Sequence, residues 1–413
     1  SFPFNLVFFV GYSNIRLAGG ARHENRQPRP DEMERMKQHV GEAMKAGAFG
    51  MSTGLIYSPQ AYAETEELIE LAKVVGEWNG LYFSHIRGEG ETVLDAIREL
   101  IRIVEESGCR GGHIAHHKIA DRVHWGLSTE TLEMIREANE RGLSITFDQY
   151  PYSRSMSSLM TALPPWALEG GTEKILTRLR DPKLREEIKR DILEDNKRDT
   201  PGWENWVKID GFENMYVIGI HHEKWRSIRG LSIPEITQRM GIEDKWETLF
   251  NILIDEECGV SVTAESMGEE DIRRIMKSEH QMFGTDGGAV PIDPNYRMVH
   301  PRYYGTYPRI LGKYVREEGV LMLEKAIEKM TSLPAWRLGL ENRGHIAPGY
   351  WADIVVFDPD TIIDKATYEE PHQAPEGILH VIVNGELVVK DGVQLDVYPG
   401  QILRPEATRK HRA

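Results

Sequence analysis

The chain has 413 residues and is 40% apolar, enough for a large core and long enough for one α/β barrel of about 250 residues with additional parts. A formal charge of −15 argues against a nucleic-acid surface, which needs clustered Lys and Arg to meet phosphates. Two cysteines, Cys109 and Cys258, exclude a disulfide scaffold and a cysteine zinc cluster, and no apolar run reaches membrane-spanning length, so a reducing, cytoplasmic setting is expected.

Residues 4–10 form a continuous apolar run, fit for a buried parallel strand. The stretch lacks the basic start and small-residue cleavage site of a signal peptide. An opening on a core strand, with no initiator Met, suggests a chain without its front segment. A helix follows over 32–46, with Met33, Met36, Val40 and Met44 near one face. A strand at 48–52 then runs into a loop marked by Gly54 and Pro59. Residues 65–78 read as a helix.

Next comes strand 80–85, ending in His85-Ile86-Arg87, then a helix over 91–107 with Val93, Ile97, Leu100 and Ile103 on one face. A second short strand ends in His116-His117-Lys118. Strand, helix, strand places the two strand ends side by side in a parallel sheet, with His85 and His116 on the carboxyl edge where α/β barrels keep their chemistry. Two neutral imidazoles there suit zinc; two polar strand-end residues that merely recur are the plainer alternative.

A helix over 127–141, capped by Ser128 or Thr129, leads to strand 143–147 and to Asp148-Gln149-Tyr150-Pro151-Tyr152, a pocket wall or rim packing. Residues 160–278 are more polar and read as an insertion. It carries a helical stretch over 172–198, strands at 216–220 and 260–264, and helices at 233–240 and 246–257. His221 and His222 form a doublet that its neighbours do nothing to support as a metal site. Strand 281–283 delivers Asp286 into a glycine turn, where it could bind a metal and move a proton, or simply cap the turn. Arg302 offers a planar fork for a carboxylate, with a surface ion pair as the ordinary alternative. From residue 342 onward the pattern is β: strands at 352–357, 378–383 and 387–390, with Asn384-Gly385 as a hairpin turn.

Taken together, these stretches resemble the N-acyl-D-amino-acid deacylases, or D-aminoacylases, of the metal-dependent amidohydrolase superfamily. The resemblance is carried by Gly47 through Tyr57, His85-Ile86-Arg87, Ala115-His116-His117-Lys118, Trp125-Gly126 and Tyr150-Pro151-Tyr152. It continues through Gly284-Thr285-Asp286-Gly287, His300-Pro301-Arg302, Gly305 to Arg309, and Pro348 to Phe357. It implies a (β/α)8 barrel with a small β-sandwich: barrel over 1–341, including the insertion at 160–278, and the β domain over 342–413. His85, His116 and Asp286 would end strands five, six and eight. Strands one and two, with the family's His-x-His pair and bridging cysteine, would be missing, so a supplied N-terminal segment would complete the barrel.

The implied reaction is zinc-dependent hydrolysis of the amide of an N-acyl-D-amino acid, giving a carboxylate and a free D-amino acid. The implied metal ligands are His85, His116 and Asp286, holding one tight zinc and a possible weaker second metal. Asp286 would also be the proton carrier, and Lys118, Tyr150 and Arg302 would face the substrate α-carboxylate. The partner is a small molecule, not a nucleic acid or a membrane. Two alternatives stand: a dihydroorotase- or hydantoinase-like cyclic amidohydrolase, which wants a carboxylated lysine at the end of strand four where Met51 and Ser52 stand, and a catalytically silent barrel.

Overall fold

The computed structural model describes residues 2–198, 200 and 202–405. Its strands, in chain order, are β1 (Val10–Gly11), β2 (Gly50–Gly54), β3 (Leu81–His85), β4 (Gly111–Ile114), β5 (Ile145–Gln149), β6 (Arg154–Ser158), β7 (Met215–Gly219), β8 (Ser261–Glu265), β9 (Gln281–Phe283), β10 (Ile354–Phe357), β11 (Ile378–Val383), β12 (Glu386–Lys390) and β13 (Val393–Gln394). Six of them make one parallel sheet in the order β1-β2-β3-β4-β5-β9, so chain order equals sheet order until the insertion intervenes. The helices Pro30–Ala46, Thr65–Glu77, Val93–Ser107 and Ser128–Glu140 connect successive strands. Each is long enough for a crossover between parallel neighbours.

The pattern explains the layering. On Val93–Ser107, Val93, Ile97, Leu100 and Val104 are buried, and they join Met51, Tyr82, Ile114 and Phe147 in one core between helices and sheet. The opposite face of the sheet carries Phe83 and His113, which are register partners; their rings stack at 4.6 Å, and Phe9 lies 5.2 Å from Phe83 on its other side. Because strand side chains alternate, His85 shares the face of Phe83 two residues before it. Gly50 permits the close β2–β3 approach: a Cβ there would stand 1.9 Å from the Leu81 carbonyl oxygen.

The insertion has its own core, built from Leu159 to Val262 with Trp225, Phe250 and Leu253 at its centre. Its three-stranded antiparallel sheet runs β6-β8-β7. The tail is a four-stranded antiparallel sheet, β10-β11-β12-β13. Its hairpin turn has Asn384 at φ 50° and Gly385 at φ 86°, the two positive values that a two-residue turn of matching twist requires. No described helix is long and apolar enough to cross a membrane. Both cysteines are buried and free.

Three expectations change. The run 4–10 is not one strand: only Val10–Gly11 joins the parallel sheet, while Leu6 pairs with Ile402 and donates its N–H to Gln401. An apolar run does not say which edge will claim it. The stretch 172–198 is not one helix but Thr172–Arg180 and Pro182–Glu194. Proline cannot continue the first helix, and Asp181 caps the second by accepting from Lys183 N and Leu184 N. The small β-sandwich is represented, among the described residues, by one four-stranded sheet where a sandwich has two.

Candidate metal centre and its cavity

His85 is the last residue of β3. β4 ends at Ile114, the register partner of Ser84, so His116 emerges beside His85 just beyond the strand. His116 holds a left-handed backbone, φ 36°, an unfavourable region for a side chain of this kind. Its N–H donates to Asp148 Oδ1 at 2.9 Å, and Asp148 Oδ2 accepts from His113 Nε2 at 2.9 Å. One carboxylate on β5 thus fixes both the turn and the histidine beneath it.

His85 Nδ1 lies 3.0 Å from His116 Nε2. Glu89 joins them, with Oε1 3.1 Å from His116 Nδ1 and Oε2 3.8 Å from His85 Nε2. One donor atom from each of the three lies within 4.8 Å of the others. Lys118 Nζ donates to Glu89 Oε1 and to His116 Nδ1. Burial pushes His85 down to about 3, which keeps its imidazole neutral. Burial alone would raise Glu89, but its electrostatic contacts with His85, Lys118 and His116 outweigh it and hold the carboxyl well below the usual range.

Glu89 carries no strand or helix periodicity in the sequence. Its one local signal is the pair of glycines flanking it in a tight loop, Gly88 and Gly90, whose backbones approach Thr92 and Asp121 too closely for a Cβ. Glu204, from the insertion, accepts from the N–H groups of Glu89 at 2.8 Å and Gly90 at 2.6 Å. Periodicity assigns no role to Glu204 or His113 and places Asp148 only in a pocket wall or rim, because each acts across a long separation.

The donor set fits a borderline metal. His85 Nε2 is buried with no hydrogen-bond partner, and two imidazoles with one carboxylate match the nitrogen and oxygen donors that zinc accepts.

Asp286 follows β9 at φ 45°, and its Oδ2 is 2.7 Å from Arg302 Nη2. The Asp286 side chain is 40% exposed, whereas that of Arg302 is 4% exposed. Arg302 begins the helix Arg302–Arg309. Its N–H donates to His300 Nδ1 at 2.9 Å, and His300 Nε2 in turn bonds the Arg154 carbonyl. The guanidinium lies 4.6 Å from the centre of the Tyr150 ring, with Nε and Nη1 buried and unpartnered. Burial pushes the Tyr150 phenol well above its ordinary pKa, so it stays a neutral hydroxyl.

A cavity of about 610 Å³ is lined by His85, His116, Asp286 and Arg302, together with Tyr57, whose ring lies 5.2 Å from that of His85. Of the residues singled out in the sequence, these four therefore face one space. Lys118 and Tyr150 do not line it; with His116 they line a smaller neighbouring recess, and Lys118 is spent on Glu89 and His116.

The chain is similar to several known proteins. N-acyl-D-glutamate deacylase of Alcaligenes xylosoxydans xylosoxydans is 35% identical over 404 residues, covering 98% of this chain and 70% of the relative. D-aminoacylase of the same organism is 32% identical over 399 residues, covering 97% and 70%. The crystal structure of N-acyl-D-glutamate deacylase from Bordetella bronchiseptica, complexed with zinc and a phosphonate mimic of the tetrahedral intermediate, superposes with a TM-score of 0.76 at 32% identity, covering 97% of this chain and 72% of that one. The model of the amidohydrolase family matches residues 5–389, and the chain belongs to that family.

Proposed function

We propose that this protein hydrolyses the amide bond of N-acyl-D-amino acids, releasing a carboxylate and a free D-amino acid, with zinc held by His85, His116 and Glu89. The observation that carries the reading is the buried donor trio, two of whose members, His85 and His116, line the same cavity as the Asp286–Arg302 pair. The relatives that act on N-acyl-D-amino acids support the substrate class. When bound, zinc supplies Lewis acidity at a carbonyl and lowers the pKa of water to near neutrality.

The chain's own residues supply the rest. Arg302 has two buried donors unspent, and a rigid fork of that kind suits the substrate α-carboxylate. Tyr150 backs the guanidinium with its ring, and the proposal that Lys118 and Tyr150 also reach the carboxylate requires them to turn from the neighbouring recess towards the cavity. Asp286, half in solvent within the cavity, takes the proton of the attacking water and returns it to the departing nitrogen; it is also proposed as a further metal ligand. Arg302, 2.7 Å away, holds the Asp286 carboxyl in place until substrate arrives.

The architecture proposed to support this is a barrel of the (β/α)8 type, to which residues 1–341 contribute six parallel strands, interrupted at 160–278, with a small β domain over 342–413. Strand order that follows chain order and chemistry at the carboxyl strand ends support it. The test is direct. The purified chain, supplied with zinc, is assayed for bound metal by mass spectrometry and for hydrolysis of N-acetyl-D- and N-acetyl-L-amino acids. Near-stoichiometric zinc and turnover of D-substrates are expected. A protein that retains no metal and hydrolyses no D-substrate would overturn the reading.

A further inference from the structure

A second chamber, about 220 Å³, adjoins the reaction cavity and has no part in the scheme above. Its walls come from the loop after β2 and from the insertion. Tyr57 lines both spaces, and successive residues face the two sides of it: Gly54 and Ser157 line the cavity, Leu55 and Ser158 the chamber. The Tyr57 hydroxyl bonds Ser157 Oγ at 3.4 Å, and its ring lies against His85. Tyr57 is thus a partition between metal donors and chamber.

Leu55, Met160, Leu163, Ile175 and Trp203 give the chamber apolar walls. Its charged lining groups are already engaged. Arg87 donates Nε and Nη2 to Glu99 at 2.9 Å each, Nη1 to the Ala61 carbonyl and Nη2 to the Ala63 carbonyl. Glu204 is spent on the N–H groups of Glu89 and Gly90 and offers an incoming anion only carboxyl oxygens. His23 is the remaining basic side chain among the described lining residues. An anionic group entering here would lose its water, meet the carboxyl oxygens of Glu204, and find Arg87, the only guanidinium among the described lining residues, committed elsewhere, which is costly. A hydrocarbon group would gain from leaving water.

We propose that this chamber receives an apolar arm of the N-acyl-D-amino acid, either its side chain or its acyl chain, and that it discriminates against acidic arms. The proposal rests on the hydrolytic reading above and names the substrate class within it.

The test uses the zinc-supplied full chain and two substrate series scored on kcat/KM. One varies the side chain under a fixed acetyl group, from D-alanine to D-leucine, D-phenylalanine, D-aspartate and D-glutamate. The other varies the acyl chain on D-alanine, from acetyl to butanoyl to hexanoyl. At least one hydrocarbon series should rise roughly tenfold or more, since one methylene in an apolar pocket is worth about that much, and the series that rises identifies the arm. The acidic substrates should fall below N-acetyl-D-alanine. Met160→Arg, at a half-buried wall position, should shift the ratio of D-glutamate to D-leucine substrate at least tenfold towards the acid; Thr161→Arg is the second variant if the first does not fold. A flat acyl series together with acidic side chains preferred over leucine and phenylalanine would overturn the proposal. Hydrolysis of none of these substrates would instead overturn the proposed function and the chamber's role with it.

Discussion

Two buried carboxyl groups sit in different regions and behave in opposite ways. Glu89, beside the parallel sheet, is held well below the usual range despite its burial. Asp210, in the insertion, is equally hidden and is pushed up to about 7 by that burial. The difference is the surroundings. Glu89 has Lys118 and two imidazoles within contact distance. Asp210 has a hydroxyl from Ser266 and a distant Arg122, opposed by Asp121 and Glu204, and its Oδ1 has no partner. Burial therefore does not by itself keep a carboxylate ionised; a neighbouring cation does. The region around Glu89 is arranged for positive charge, whereas the insertion only tolerates an acid by keeping it close to neutral.

The most damaging way to break that arrangement is to remove one of its donors. His116→Ala should abolish near-stoichiometric zinc and reduce deacylase activity to background, with the far-ultraviolet circular dichroism spectrum unchanged; retained zinc would remove His116 from the ligand set. Asp286→Asn should keep zinc at His85, His116 and Glu89 while lowering kcat by about 10² to 10⁴, the usual worth of a positioned proton carrier. A kcat within a few-fold of the parent would exclude that role. Arg302→Lys keeps the charge and loses the fork, so kcat/KM should fall roughly tenfold to hundredfold for substrates with a free α-carboxylate and far less for the matching amides. Equal losses on both would mean that Arg302 supports the cavity without touching the carboxylate.

The sequence discloses these parts unevenly. The parallel sheet is legible because its helices have sharp apolar faces, as over Val93–Ser107, and short strands lie between them. The same strand-helix-strand pattern explains why His85 and His116 lie together: parallel pairing of β3 and β4 brings their ends into register. Glu89 and Glu204 are not legible, because they meet through loops that are 115 residues apart and follow no period. Nor is the division of residues 4–10 between the sheet and the tail, since apolar content is the same whichever partner is chosen. The break at Asp181-Pro182 was legible in principle: a helix should stop before a proline preceded by a capping acid.

The mildest expected effect on turnover concerns Asp210, and it sharpens the opening comparison by pH. A carboxyl whose folded pKa, about 7, exceeds its unfolded value near 4 binds its proton more tightly in the native state. The native state is then favoured while the proton is on, and stability drains away as pH rises from about 4 to about 7. At about 1.4 kcal/mol per unit, the total loss is at most about 4 kcal/mol. Asp210→Asn removes the ionisation while keeping the shape and the neutral hydrogen bond to Ser266. Thermal unfolding of parent and variant between pH 5 and pH 8 should therefore diverge, the parent midpoint falling with pH and the variant curve lying flatter and higher at the alkaline end. Glu89, compensated by its cation, should contribute nothing to this slope, because its titration lies well below the window. Parallel curves for the two proteins would show that Asp210 ionises without cost in the folded state, and that the insertion supplies it with a counter-charge after all.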